Sequence, residues 1–165
     1  MKYYHYGTNY IRKDKTYQNN KTSEEYSRDF INKPEGLWSS QEDSEFSWEE
    51  FCTGEDFNIE SLEQGVTFEI SPDAKLLYIN DDSDLAKLQK YLVPFTLFEW
   101  ERKFVFDWKK IAEDYDGIVM YFTRLPYDVC DLYCLNAWDV DSACIWNLNV
   151  LKNIEPIGVK AKWGI

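Results

Sequence analysis

The sequence predicts an α+β fold of mostly antiparallel strands with short flanking helices. Segments such as 66–70 alternate apolar and polar residues with the period of two that is typical of strands. Other segments carry apolar residues at helical spacing behind a capping residue, as Leu85 and Leu88 do behind Asp81. A chain of 165 residues suits one domain with a sizeable core. We therefore expect a single domain over 1–165.

The predicted elements follow one another at short intervals along the chain. We predict strands at 2–8, 37–40, 66–70, 75–80 and 118–122, and helices at 23–30, 47–52, 81–92 and 108–114. The strands at 66–70 and 75–80 are predicted to pair with each other, because a Ser-Pro-Asp turn joins them. The aromatic run 95–106 is interpreted as a strand or as a loop folded over a pocket, and 149–154 and 160–163 as edge structure.

A long polar stretch, 9–33, separates the first two predicted strands. It is almost empty of aliphatic residues, so it contributes little to a core. Insertions of this length in compact domains more often cover a ligand or bind a partner than serve as filler. We interpret 9–33 as a surface excursion with a short helix, and disorder is the alternative.

The net charge argues against one class of partner. The chain has 18 Lys and Arg against 30 Asp and Glu, a formal charge of −12 and an isoelectric point near 4.5. Such a surface repels a phosphate backbone, so non-specific nucleic-acid binding is disfavoured. A locally positive pocket can still take an anionic small molecule, because distant charge is screened over about 10 Å. The alternative use of the acidity is mimicry of nucleic acid or docking onto a basic partner.

The cysteines at 52, 130, 134 and 144 lack the paired spacing of a zinc ribbon. We interpret them as reduced thiols of a cytoplasmic protein, and a zinc site built from three of them and His5 is the alternative. No apolar run approaches the roughly 20 residues of a membrane span, so we expect no membrane partner.

The only histidine of the chain, His5, lies in a short aromatic strand that ends in Gly7 and Thr8. An imidazole can donate, accept or transfer a proton near neutral pH, and a glycine offers bare backbone groups to a docked ligand. This arrangement is typical of a polar clamp. The alternative is a half-buried histidine that a neighbouring carbonyl satisfies, with Thr8 capping the turn.

Two later stretches carry further candidate site residues. Trp38 stands beside the hydroxyls of Ser39 and Ser40, directly after a turn that contains Pro and Gly. Asp139 and Asp141 lie two positions apart before a predicted strand, so both can point to one side if the segment is extended. One of them could then enter a pocket, and the alternative is that both cap a turn.

Taken in order, these motifs resemble those of the ADP-ribosyltransferase superfamily. They are His-Tyr-Gly-Thr at 5–8, Gly-Leu-Trp-Ser-Ser at 36–40, and an acidic residue that leads a strand near the end. The resemblance is to the His-Tyr-Glu class, which includes the poly-ADP-ribose polymerases and the tRNA 2′-phosphotransferases. It implies a split arrangement of mostly antiparallel sheets, NAD as the substrate, and a protein or a nucleic acid as a possible acceptor.

The resemblance implies that the first motif binds NAD. His5 would hydrogen-bond the ribose on the nicotinamide side, and the backbone of Gly7 would hold the carboxamide. Thr8 would line the adjoining ribose.

The second and third motifs are implied to complete the site. Trp38 or a nearby ring would stack on the nicotinamide, and Ser39 or Ser40 would support the pocket floor. Asp141 would hold the ribose 2′-hydroxyl and stabilise the oxocarbenium-like transition state. Asp141 is one methylene shorter than the glutamate of the family, and Trp38 replaces a tyrosine. The shorter side chain of Asp141 argues against transfer more than against nucleotide binding, whereas Trp38 suits stacking but not a role that needs the phenol.

We therefore expect an NAD-binding mono-ADP-ribosyltransferase, or an NAD-consuming glycohydrolase-type enzyme, of bacterial or phage origin and resembling a toxin. The first alternative is a catalytically inactive module that binds a nucleotide or blocks a basic partner with its acidic surface. The second is a plain structural protein in which His5 is a satisfied surface group.

Overall fold

The structure, a computed structural model, describes residues 1–98 and 100–157. It has the α+β fold that the sequence predicts, with a main sheet, a separate hairpin and short helices. The strands are β1 (Tyr3–Tyr6), β2 (Leu37–Gln41), β3 (Gly65–Ile70), β4 (Leu76–Ile79), β5 (Leu92–Phe98), β6 (Glu101–Phe106), β7 (Gly117–Met120), β8 (Ser142–Ile145) and β9 (Leu151–Pro156). The α-helices are α1 (Ser23–Asp29), α2 (Trp48–Glu55), α3 (Asp82–Ala86), α4 (Trp108–Asp114) and α5 (Tyr127–Leu132).

In the described part of the chain, the main sheet has the strand order β4-β7-β8-β2-β1-β3-β9. Its neighbours are antiparallel, except that β4 runs parallel to β7. The prediction that 66–70 and 75–80 pair with each other is therefore wrong. Two hydrogen bonds to Asp116 hold the start of β4 beside β7: Lys75 N donates to the Asp116 carboxylate at 2.8 Å, and Asp116 N donates to Lys75 O at 2.6 Å.

The main sheet opens between β1 and β2. In the described register, these two strands pair through Tyr3 and Tyr4 alone. The next residues, His5 and Tyr6, pair with β3, whereas the first part of β2, including Trp38, pairs with β8. The strands part beyond Tyr4, and His5 lies at the opening.

Local capping signals explain most helix starts. Ser47 Oγ accepts from Glu50 N at 3.2 Å at the start of α2, and Asp107 caps α4 as predicted. The cap of α1 is Thr22. None of the described helices has the length and apolar character that a membrane crossing requires.

One predicted helix end is wrong. The helix predicted at 81–92 ends at Ala86, a short 3-10 turn follows, and β5 begins at Leu92 and includes Pro94. Pro94 is tolerated there because β5 is a strand of a two-stranded hairpin, in which the missing N–H can face outward.

The run 95–106 belongs to this hairpin. The hairpin packs beside α1 through Phe30 and Phe95, whose ring centroids are 6.1 Å apart. The predicted edge strand is present as β9, whereas 160–163 lies outside the described residues.

Apolar side chains pack on both faces of the main sheet. Successive residues of β7 alternate between the two clusters: Ile118 and Met120 join one, and Val119 joins the other. The first cluster also holds α4, α5 and the hairpin, and the second lies against β1, β3 and β9. All four cysteines are buried, and burial raises the pKa of the thiols of Cys130, Cys134 and Cys144.

A fully buried amide, Asn32, joins the end of the 9–33 excursion to the first cluster. Its Oδ1 accepts from Phe106 N at 3.1 Å and from Trp108 Nε1 at 2.8 Å, and its Nδ2 donates to Tyr133 O at 2.9 Å. Its backbone carbonyl accepts from Trp138 Nε1 at 2.9 Å. One side chain therefore satisfies buried groups from β6, α4 and the end of α5.

We expect Asn32→Ala to lower the free energy of unfolding by about 3 kcal/mol or more. Each buried polar group that loses its hydrogen-bond partner costs about 1–3 kcal/mol. Asn20→Ala, at an exposed amide, should change it by less than about 0.5 kcal/mol. Urea unfolding followed by circular dichroism measures both values. Equal stability of the two variants would contradict a central role for Asn32.

Candidate functional site

A cleft of about 370 Å³ lies beside the opening between β1 and β2. This volume falls within the range of about 300–1,000 Å³ that is usual for small-molecule sites. Its walls come from β1, β2 and the segment before β8, with α2 and the turn after it on another side. The lining residues include three indoles and several hydroxyl and amide groups: Trp38, Trp48, Trp138, Ser39, Ser40, Ser61, Ser142 and Asn58.

His5 lines the cleft and bridges the opening of the sheet. Its Nδ1 lies 2.6 Å from the backbone oxygen of Trp38. Because a carbonyl oxygen only accepts, Nδ1 carries the proton, and Nε2 of the neutral ring is an acceptor. Burial lowers the pKa of His5 below its ordinary value, and the bond to Trp38 acts in the opposite direction. The ring is therefore neutral at pH 7.

Trp38 is held between an aromatic ring and a cation. The ring centroids of Trp38 and Trp138 are 4.8 Å apart at 70°, and Lys33 Nζ lies 4.7 Å from the centre of the Trp38 ring. Lys33 also donates to Ala137 O at 3.2 Å. Burial lowers the pKa of Lys33, while the carboxylate of Asp139 opposes that shift. These contacts fix the indole and place an ammonium group in the cleft wall.

The two serines after Trp38 line the cleft but differ in their bonding. Ser40 Oγ accepts from Trp48 N at 3.0 Å, which ties β2 to the first turn of α2. Ser39 is 7% exposed, and its Oγ has no hydrogen-bond partner within 1–98 and 100–157. A buried hydroxyl without a partner is costly in free energy, and this one has almost no surface that a ligand in the cleft could reach.

The two residues after Tyr6 behave differently from each other. Gly7 lines the cleft at φ 105°, a conformation that favours glycine, but its N–H already donates to Gln64 O at 3.0 Å. That N–H is not available to a ligand carboxamide. Thr8 lies outside the cleft, and its hydroxyl bonds the backbone of Tyr10 in a turn. Thr8 therefore caps a turn, which was the alternative that the sequence left open.

The structure does not bring Asp141 to the cleft. This residue is fully buried, and its carboxylate accepts from Glu45 N at 2.8 Å and from Thr123 N at 2.9 Å. The Thr123 hydroxyl donates to it as well, at 3.0 Å. The carboxylate that lines the cleft is that of Asp139, an exposed residue with φ 61° and ψ −37°.

Several residues of the site are not predicted from the sequence. Lys33, Trp48 and Trp138 line the cleft with the predicted His5 and Trp38. A signal was present for Trp138, because it directly precedes the Asp-Val-Asp run that was singled out. Lys33 and Trp48 carried no such signal, since their place depends on contacts between distant segments.

Comparisons with protein-family models, with curated proteins and with solved structures found no match. Within the described residues, no group of three His, Cys, Asp or Glu side chains is placed to hold a metal ion. The function is therefore argued from the geometry of the cleft.

Asp141→Ala should destabilise the fold, because it leaves the donors of Glu45 and Thr123 unbonded in a buried site. We expect a loss of about 3 kcal/mol in the free energy of unfolding. Asp139→Asn, at an exposed position and with a residue that tolerates positive φ, should stay within about 0.5 kcal/mol of the parent. Chemical denaturation distinguishes the two, and a fully stable Asp141→Ala would contradict the structural role.

The lowered pKa of His5 makes stability depend on pH in a defined direction. Below the unfolded value of about 6.5, the unfolded chain binds a proton that the folded imidazole resists. The stability that this histidine contributes is therefore present above about pH 6.5 and falls as the pH drops toward the lower folded pKa. His5→Gln should lack this component.

Two measurements check the direction. Urea unfolding at pH 7.5 and 5.5 should show a larger loss at low pH for the parent than for His5→Gln, since the carboxylates are common to both. A nuclear magnetic resonance titration of the single imidazole should give a pKa below about 6.5. A higher value would contradict burial as the dominant effect.

Proposed function

We propose that the cleft binds NAD and that the chain transfers the ADP-ribose unit to water or to an acceptor. The observation that carries the proposal is that an imidazole, an ordered indole and a carboxylate, from His5, Trp38 and Asp139, line the same cleft. These residues come from three distant parts of the sequence. Together they offer a polar clamp, a stacking surface and an anionic group.

The walls suit the two chemical parts of a nicotinamide riboside. The indoles of Trp38 and Trp48 offer flat surfaces for the nicotinamide ring, and stacking on such surfaces is favourable. The neutral ring of His5 presents Nε2 as an acceptor for a ribose hydroxyl.

The carboxylate of Asp139 suits the bond that would break. When the bond between ribose C1′ and the nicotinamide nitrogen breaks, its electron pair leaves with nicotinamide and positive charge develops on the ribose. A fixed carboxylate beside that charge lowers the barrier, and water or an acceptor nucleophile then attacks C1′. We assign this role to Asp139 in place of Asp141, because the carboxylate of Asp141 already accepts three protein donors.

The position of the cleft also supports the proposal. The resemblance to the ADP-ribosyltransferase superfamily implies a split between antiparallel sheets. The main sheet parts between β1 and β2, the strands that carry the first two motifs. His5 and Trp38 stand on either side of that opening and are joined by one hydrogen bond.

A second candidate is nucleotide binding without turnover. Asp139 is shorter than the glutamate of the family, and its carboxylate acts on Lys33, whose ammonium lies in the same wall. Such a counter-charge offsets part of the stabilisation that a carboxylate gives to a developing cation. This candidate predicts NAD affinity without release of nicotinamide.

The test is to incubate the purified chain with NAD and to quantify nicotinamide by mass spectrometry. We expect release in the parent and a loss of about a hundredfold or more in both His5→Ala and Asp139→Asn, the usual effect of removing one group that stabilises a transition state. Asp128→Asn, the same change at an exposed site on α5, should leave the rate unchanged.

Calorimetry with NAD and with ADP-ribose completes the test. Binding without nicotinamide release supports the second candidate. Absence of both binding and release overturns the assignment of the cleft to a nucleotide. A parent-like release rate in both cleft variants would contradict the roles of His5 and Asp139.

A further inference from the structure

A second hollow, of about 320 Å³, adjoins the cleft. Both are lined by His5 and Trp38, so they meet at the place where β1 and β2 part. Most of the remaining wall comes from the polar excursion, through residues such as Tyr10, Arg12 and Lys15. The excursion therefore folds back against the sheet beside the proposed nucleotide site.

The hollow carries positive charge in an otherwise acidic chain. Its described lining includes the cations of Arg12 and Lys15 and no carboxylate, although the chain has a net charge of −12. Lys15 Nζ stands 4.8 Å from the ring centre of Tyr17. Arg12 pairs with Asp14 at 3.1 Å, but both side chains are about two-thirds exposed, and exposed pairs exchange partners at little cost.

The excursion is fixed in this position near its start. Lys13 Nζ donates to Leu151 O at 3.1 Å, at the first residue of β9. Because Lys13 lies next to Arg12, this bond holds the basic segment against the sheet. The two cations on either side of Lys13, Arg12 and Lys15, line a hollow that also includes the imidazole of His5.

We propose that this hollow is a phosphate-binding site, with Arg12 and Lys15 as its cationic groups, and that it takes the diphosphate of a nucleotide. The different groups that line the two cavities favour this ligand. The cleft offers indoles and hydroxyls, which suit a base and a ribose, while the adjoining hollow offers two cations, which suit the anionic centre of a dinucleotide. The assignment to a dinucleotide rests on the proposed function, whereas the phosphate site itself does not.

The experiment compares two charge-reversal variants of equal charge. Arg12→Glu/Lys15→Glu changes the hollow, and Lys75→Glu/Lys109→Glu changes two exposed lysines outside both cavities. Calorimetry measures the binding of inorganic pyrophosphate and of ADP-ribose to each. We expect the first variant to lose about tenfold or more in affinity for both probes, and the second to match the parent.

Thermal melting confirms that each variant is folded, and Arg12→Gln/Lys15→Gln repeats the test without added negative charge. Loss of pyrophosphate binding with unchanged ADP-ribose affinity would overturn the diphosphate assignment and leave a site for free anions. Unchanged affinity for both probes would overturn the phosphate site, and nicotinamide release would still test the proposed function on its own. Pyrophosphate binding without any nicotinamide release or NAD affinity would instead overturn the proposed function alone.

Discussion

The amide of Asn32 is the constraint on which the rest of the structure depends. Within helices and strands, the backbone groups form hydrogen bonds with one another. The end of β6, the end of α5 and the indole of Trp108 also place polar groups in the core, where water cannot bond them. The amide of Asn32, which can accept two hydrogen bonds and donate two, bonds most of these groups. Its backbone carbonyl also fixes the indole of Trp138. Since Lys33 follows directly, the same anchor positions one wall of the cleft.

The opening in the main sheet leaves a backbone group without a strand partner, and His5 bonds it. Where two strands part, backbone groups that would have formed a ladder bond lose their partners, and such losses are costly when the groups are shielded from water. The carbonyl of Trp38 has no partner on β1 at this point, and the imidazole of His5 donates a hydrogen bond to it. The functional and the structural interpretations of His5 are thus compatible: one ring nitrogen keeps the strands at a fixed distance, and the other is left to a ligand.

Local signals in the sequence predicted most of the elements, and long-range pairing was the main source of error. The caps of α2 and α4 and the alternation of β3 depend on residues a few positions apart, so they can be interpreted without tertiary knowledge. The pairing of β4 depends on Asp116, which is 41 positions away from the Lys75 that it bonds. No pattern within the strand itself contains that information.

In the candidate site, the directions of the Asp139 and Asp141 side chains also could not be predicted from the sequence. The expectation that both point to one side assumed an extended segment, in which side chains at i and i+2 share a face. The backbone instead turns at Asp139, where φ is 61°, so the two carboxylates diverge. Asp141 enters the protein, and Asp139 faces the cleft. A positive φ in the middle of a short polar run cannot be derived from residue types alone, since aspartate tolerates but does not require it.

The burial of every thiol gives the molecule a practical property. Shielded sulfurs react slowly with alkylating reagents, and burial also raises the pKa of the Cys144 thiol. A single cysteine introduced by Ser61→Cys, at a residue that lines the cleft, would then be the preferred point of attachment for a fluorescent label. The native chain already provides the unreactive background that such site-directed chemistry ordinarily has to be engineered to obtain.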